Sequence, residues 1–416
     1  MHILEDERKV LTKRRWMILA ASCLINLCIG SLYAWSVFAT PMAEYLSGLS
    51  GGTALNAGNL AIVFTVANSV GPVTLISGGF INDKFGPKWV VFAGGLLFGA
   101  GMICAGFANS VGMLVVGYGM GCGLAMGLVY GCTISNSVKF FPDKRGLIGG
   151  IATASYGISS VVIPPIANAL IGSAGVLNAF RYIGIAFIVI ICSGAFFIQR
   201  CPEGFAPIGY QLPVQSAGGI GETQKNWSQM LRDPLFYVMI LLMTCGAVFG
   251  LMTISQTSAI AQNMIGMTVT SATAAVSVLA LFNAAGRVIA GYLSDIIGRI
   301  NMLTVMLGLA IAGLLLLYFS GEGDVAKFYV GVSIVGLCFG AFMGIYPGFT
   351  ADQFGARNNS VNYGIMFIGF ALAGYIGPTI MGKLYASTGA YQSAFVVAIG
   401  LAVAGLVLSI VYRKLK

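Results

Sequence analysis

Charge is what this sequence has least of. Only 8% of its 416 residues are Asp, Glu, Lys or Arg, where a soluble globular chain carries about 25%. That shortage excludes a soluble domain. Histidine is nearly missing as well. The one present is His2, in the N-terminal tail, which rules out an intramembrane histidine relay and a His-built metal site. None of the 13 acidic residues falls in the middle of a long apolar run. Paired carboxylates, a nucleophile with its base, or a metal cluster inside a membrane are therefore not on offer. The chain is not expected to be an enzyme, and no cofactor, catalytic residue or metal site is assigned. The nine cysteines show no CxxC or CxxxC spacing and fall almost wholly in apolar segments, so they read as small packing residues rather than disulfides or ligands. A secretory signal is missing too, because the stretch from His2 to Arg15 is polar and mixed in charge.

What is present is hydrophobic length. The chain is 57% hydrophobic and carries 58 glycines, a residue that lets membrane helices approach closely. A bilayer core of about 30 Å needs about 20 apolar residues per helix. Twelve segments qualify, roughly 16–39, 58–81, 89–108, 110–137, 147–171, 179–199, 234–262, 268–293, 301–320, 326–350, 359–386 and 392–412. If both ends and the even-numbered loops face the cytoplasm, every Lys and Arg lies on that side except Arg181, Lys327, Lys383 and Arg287. This bias places both termini inside. The formal charge of +9 is spread over short loops and reads as topology, not as a nucleic-acid footprint. The partner is the lipid bilayer, and a monomer is expected.

The expected fold is an all-α membrane protein of twelve transmembrane helices in two pseudo-symmetric six-helix bundles. Residues 1–15 form a cytoplasmic tail, 16–199 the N-terminal bundle, 200–233 a cytoplasmic linker, 234–412 the C-terminal bundle and 413–416 a second tail. The linker holds Pro202, Pro207, Pro213, Gly218, Gly219 and Gly221 and reads as flexible. A short interfacial helix over Asn226–Arg232, anchored by Trp227, is the lesser reading. The two bundles are related by a repeat. Gly79, Asp83 and Gly86 recur as Gly291, Asp295 and Gly298 at one constant offset, and Arg145 matches Arg357 at the same offset. In each turn the first Gly permits close packing. The Asp can face a helix N-terminus or a basic partner such as Arg145 or Arg357, and the second Gly allows the reversal.

Arg287 is the only charge placed deep in a span. Asp295 marks the membrane edge, and eight helical residues put Arg287 about 12 Å further in. A guanidinium there is costly unless it is paired or faces a cavity, and a carboxylate suits its fork. Leu75 stands at the pseudo-symmetric position, so the site is asymmetric. Asn283, four residues before Arg287, shares its helix face and can hydrogen-bond a carboxylate or a 2-hydroxyl. Lys383 and Arg181, near the outer ends of spans, read first as interface residues.

The paired turns resemble the major facilitator superfamily of secondary transporters over essentially the whole chain. Three stretches narrow the resemblance to the monocarboxylate transporter and oxalate:formate antiporter branch. They are Gly30-Ser-Leu-Tyr33-Ala-Trp35, Tyr130-Gly131 with Phe140-Phe-Pro-Asp-Lys144-Arg145-Gly146, and Arg357-Asn-Asn-Ser-Val-Asn362-Tyr363-Gly364. The resemblance implies that Gly79, Asp83, Gly86, Arg145, Gly291, Asp295, Gly298 and Arg357 form a cytoplasmic latch. It also implies that Arg287 binds the substrate carboxylate, between helices 1, 4 and 5 and helices 7, 8, 10 and 11. Tyr33, Tyr130, Tyr346 and Phe367 are aromatic candidates for that cavity. The oxalate:formate antiporter has a lysine in helix 11, and the aligned position here is Phe370. Phe370 therefore argues for a small monocarboxylate such as L-lactate or pyruvate. The Asp and Lys that carry protons in animal-type relatives are replaced by Asn283 and by an uncharged helix 1. Symport with H+ then requires substrate and proton to share the site, and anion exchange is the alternative. The expected place of action is the cytoplasmic (inner) membrane, crossed many times.

Overall fold

The computed structural model describes residues 5–49, 55–56, 59–210 and 224–416. His2, the first residues of the expected tail and the Pro213–Gly221 part of the expected linker lie outside these residues. Among the described residues there is no strand. Within these residues twelve helices are long and apolar enough to cross a membrane: α1 (Glu5–Leu49), α2 (Ala61–Phe85), α3 (Pro87–Ala105), α4 (Val111–Phe140), α5 (Arg145–Ala174), α6 (Val176–Phe197), α7 (Pro234–Asn263), α8 (Val269–Ile297), α9 (Arg299–Tyr318), α10 (Val325–Phe354), α11 (Asn359–Thr388) and α12 (Gln392–Leu415).

Several helices outrun the apolar segments that predict them. α1 begins at Glu5, so most of the expected tail is helical. α2 and α8 continue to Phe85 and Ile297, which puts Asp83 and Asp295 in their last turns rather than in loops. The reversal proper is one residue, Gly86 or Gly298, each at φ +91°, a conformation open to glycine at no steric cost. Two helices are irregular within the span. α1 tightens to 3-10 geometry over Gly30–Ala34, and α4 widens to π geometry over Val115–Cys122.

The described residues form two compact units. Unit 1 comprises Met1–Asp143, Ser155–Gly221 and Ala356–Gly364. Its helices cross at glycines: Gly123 and Gly127 on α4 lie against Ala67 and Gly71 of α2, and Gly99 on α3 against Gly184 of α6. Such crossings exchange side-chain volume for backbone contact, the main attraction left where no hydrophobic effect acts. Arg8, on the polar extension of α1, donates to the main-chain carbonyls of Ala206, Pro207 and Tyr210 at 2.6, 2.9 and 2.9 Å. The first part of the expected flexible linker is thereby fixed.

Unit 2 comprises Lys144–Ala154, Glu222–Gly355 and Ile365–Lys416. It therefore includes the first turns of α5, as unit 1 includes the first turns of α11. Its tightest seam is between α8 and α10. Gly336, Gly340, Gly344 and Gly348 recur every fourth residue on α10. The first three face the main chain of Leu279, Asn283 and Arg287 on α8, and the fourth faces Arg145 of α5. Trp227–Leu231 is a short helix with a capping box between Asn226 and Gln229. Lys225 pairs with Asp233 at 2.6 Å, and Asp233 caps α7 ahead of Pro234. The short helix of the lesser reading is present over Trp227–Leu231, because its caps satisfy donors that a free linker leaves to water.

Candidate substrate site and helix-end seams

Arg287 is 3% exposed. Two acceptors hold its guanidinium. Nε donates to Asn283 Oδ1 at 3.2 Å, one helical turn back. Nη1 donates to the main-chain carbonyl of Thr153 on α5 at 2.6 Å. Among the described residues Nη2 has no partner, and no carboxylate pairs with the group. Both acceptors are neutral, so the positive charge stays uncompensated. The backbone around it is crowded: a Cβ on Gly344 of α10 or Gly150 of α5 would collide with the Arg287 main chain. Arg287 is thus gripped on two sides, with one nitrogen of its fork uncommitted.

The aromatic candidates fall into separate clusters. In unit 1, Tyr33 and Tyr130 both meet Tyr156 of α5 edge-on, with ring centroids 5.2 and 4.9 Å apart. Tyr33 is exposed and Tyr130 buried. In unit 2, Phe370 stacks on Phe367 at 4.6 Å and lies 6.3 Å from Phe339. Phe367 stands at the break between the two helical stretches of α11. Tyr346 is fully buried, and its hydroxyl donates to the Met239 carbonyl of α7 at 2.8 Å. That bond turns Tyr346 into the α7–α10 packing. Asn283 spends its oxygen on Arg287 rather than presenting it freely. Arg181 is absorbed by the Gly106 carbonyl at 2.7 Å and by the Phe107 ring. Lys383 is exposed.

The two repeated helix ends are built alike. In unit 1 Gly79 lies against the main chain of Ser360 and Val361. One turn on, Asp83 accepts from the Val361 N–H at 3.1 Å and from Lys139 at 2.6 Å. In unit 2 Gly291 lies against the Gly146 carbonyl. One turn on, Asp295 accepts from the Gly146 and Leu147 N–H groups at 2.8 Å each and forms an ion pair with Arg299 at 2.6 Å. Each carboxylate sits at the start of a helix, where the dipole and free N–H groups favour it. The basic partners are Lys139 and Arg299, not Arg145 or Arg357, because the neighbouring helix ends bring those closer. Arg145 instead pairs with Asp352 at 2.8 Å, as does Arg299. Arg357 lies 3.4 Å from Glu203, both exposed.

Sequence reasoning missed Thr153, Tyr156 and the α10 glycine ladder. A main-chain carbonyl has no sequence signature, so Thr153 had none to find. The ladder did: four glycines at a four-residue spacing.

Among the described residues, twelve helices long and apolar enough to cross a membrane, a duplicated Gly/Asp/Gly helix end and a buried Arg287 with no carboxylate partner are the features of a polytopic membrane carrier. The family model of the Major Facilitator Superfamily matches residues 21–378, and the chain belongs to that family. It is a multi-pass membrane transporter of that superfamily, not an enzyme. Among relatives it is 28% identical over 360 residues to the uncharacterized MFS-type transporter YhjX of Escherichia coli K12, covering 86% of each chain. It is 29% identical over 385 residues to the oxalate:formate antiporter of Oxalobacter formigenes, covering 92% of this chain and 88% of that one. Human monocarboxylate transporter 11 is 23% identical, with 94% and 81% covered. The crystal structure of the transporter FucP in the outward conformation matches with a TM-score of 0.70 at 14% identity, covering 96% of this chain and 98% of that one. That likeness speaks to the fold alone.

Proposed function

We propose that this chain carries small monocarboxylates, L-lactate and pyruvate first, across the cytoplasmic membrane by proton-coupled symport with alternating access. Arg287 carries the reading. A buried guanidinium with an uncommitted Nη2 and no paired acid is stabilised by an arriving carboxylate, through charge-assisted hydrogen bonds. One such group suits one carboxylate. Phe370, stacked on Phe367, offers an apolar wall to a short carbon tail where a dicarboxylate would want a second cation. Tyr33 and Tyr130 are the aromatic candidates from the other cluster. The relatives named for monocarboxylates and for oxalate and formate support an organic-anion substrate. The charge bias supports a cytoplasmic position for both termini and for the Asp83 and Asp295 helix ends. There these ends act as the latch, and the carrier works as a monomer.

The likeness to the Oxalobacter antiporter supports a second reading, exchange of one carboxylate for another. Uptake of labelled L-lactate into proteoliposomes, with and without an inward proton gradient, separates the two. Symport predicts stimulation by the gradient, competition by pyruvate and little by oxalate. Exchange predicts saturable competition by oxalate with no response to the gradient. In either mode Arg287→Gln and Arg287→Lys are expected to lose about 100-fold in uptake, the equivalent of about 2.7 kcal/mol, while still purifying as folded protein. Uptake at the unmodified level in those variants refutes the site.

A further inference from the structure

Asp295, Gly291 and Arg287 are spaced by four residues and form one stripe along α8. All three meet the same neighbour, the first turns of α5. Asp295 caps Gly146 and Leu147. Gly291 packs on Gly146, and the Arg287 main chain packs on Gly150. The deepest contact of the stripe is polar: Nη1 of Arg287 donates to the Thr153 carbonyl at 2.6 Å. That oxygen lies inside a helix and has one lone pair to spare beyond its helical bond. The cation that would meet the substrate is therefore also the inner end of the seam between α8 and α5.

A carboxylate binds a guanidinium best through two parallel bonds. Nε is held by Asn283 and Nη1 by Thr153, so Nη2 supplies only one end of such a fork. We propose that the substrate's carboxylate displaces the Thr153 carbonyl from Nη1, and that this exchange frees the first turns of α5 from α8. Thr153 is then a positioning residue and a built-in competitor. It holds the guanidinium in place until an anion arrives. The anion wins because its charge answers a cation that a neutral carbonyl leaves uncompensated. A neutral analogue such as lactamide lacks that charge and does not open the seam. The inference rests on the reading of Arg287 as the carboxylate site.

The test weakens the competitor without touching a side chain. Replacing Ala154 by its α-hydroxy acid turns the Thr153 carbonyl into an ester, a poorer acceptor. Equilibrium binding of labelled L-lactate should then tighten on the order of two- to fivefold, within the net worth of one hydrogen bond. Gly150→Ala, whose Cβ pushes against the Arg287 main chain, should shift binding the same way. Spin labels at the exposed positions Lys144 and Ile296, in a cysteine-free background, read the seam directly. Saturating lactate should lengthen the label distance, lactamide should not, and Arg287→Gln should abolish the change. Binding of lactate with no lengthening, or weaker or unchanged binding in the ester variant, overturns the proposal. Should the ester variant fail to fold, Gly150→Ala and the labels decide it. Failure of the unmodified protein to bind any monocarboxylate overturns the Arg287 reading instead.

Discussion

A guanidinium inside a bilayer span is a cost of several kcal/mol that two neutral acceptors reduce but do not cancel. Its rarity is what made Arg287 legible in the sequence, since no other Lys or Arg sits so far from a polar break. Its surroundings were not legible in the same way. Asn283 was found from its spacing, yet its oxygen serves Arg287 before any ligand. Tyr346 was found as an aromatic, but its hydroxyl is committed to Met239, a partner that no pattern along the chain announces. Phe370 allows a sharp prediction at this scale. Phe370→Lys should give the proposed site a second cation and raise the potency of oxalate against lactate uptake at least about tenfold, or about 1.4 kcal/mol. Phe370→Leu, which keeps the apolar wall, should leave oxalate a poor competitor. Competition assays in proteoliposomes measure both.

Between helices, glycine does most of the positioning. The ladder at Gly336, Gly340, Gly344 and Gly348 lets α10 approach the α8 backbone at each turn, and so sets the height at which Arg287 is presented. Gly344→Val places a branched side chain against the Arg287 main chain. Overpacking of this kind costs about 1–3 kcal/mol, and a loss of roughly 1 °C in Tm follows per kcal/mol in a chain of 416 residues. Gly308→Val on α9 is the control, because nothing lies within 4 Å of an added Cβ there, and its melting point should hardly move. Thermal unfolding followed by size exclusion distinguishes them. The existence of these helices was plain from hydropathy, whereas their ends were not. Hydropathy stops at the lipid, but a helix continues while its residues tolerate helical geometry, which carries α1 out to Glu5 and α8 past Asp295.

At the scale of the molecule, the count of twelve spans and the duplicated helix ends followed directly from the sequence. The composition of the two units did not. Residues 144–154 belong with unit 2 and residues 356–364 with unit 1, and local sequence says nothing of which helix end a capping carboxylate will find. The charge bias yields a prediction here. In a cysteine-free background, Phe107→Cys and Glu322→Cys should react with an impermeant maleimide added from one side of a sealed membrane, and Lys414→Cys only from the other. Labelling of all three from one side contradicts the assigned topology.

The bonds of Arg8 to Ala206, Pro207 and Tyr210 carry a consequence for biosynthesis. Their partners leave the ribosome only after α6, so this strap closes once the first six helices have been made, in the order in which domains are built during synthesis. The Val361 N–H that completes the cap on Asp83 emerges far later. The nascent N-terminal bundle is thus strapped early but left with an open seam at Gly79 and Asp83, which the first turns of α11 close near the end of translation.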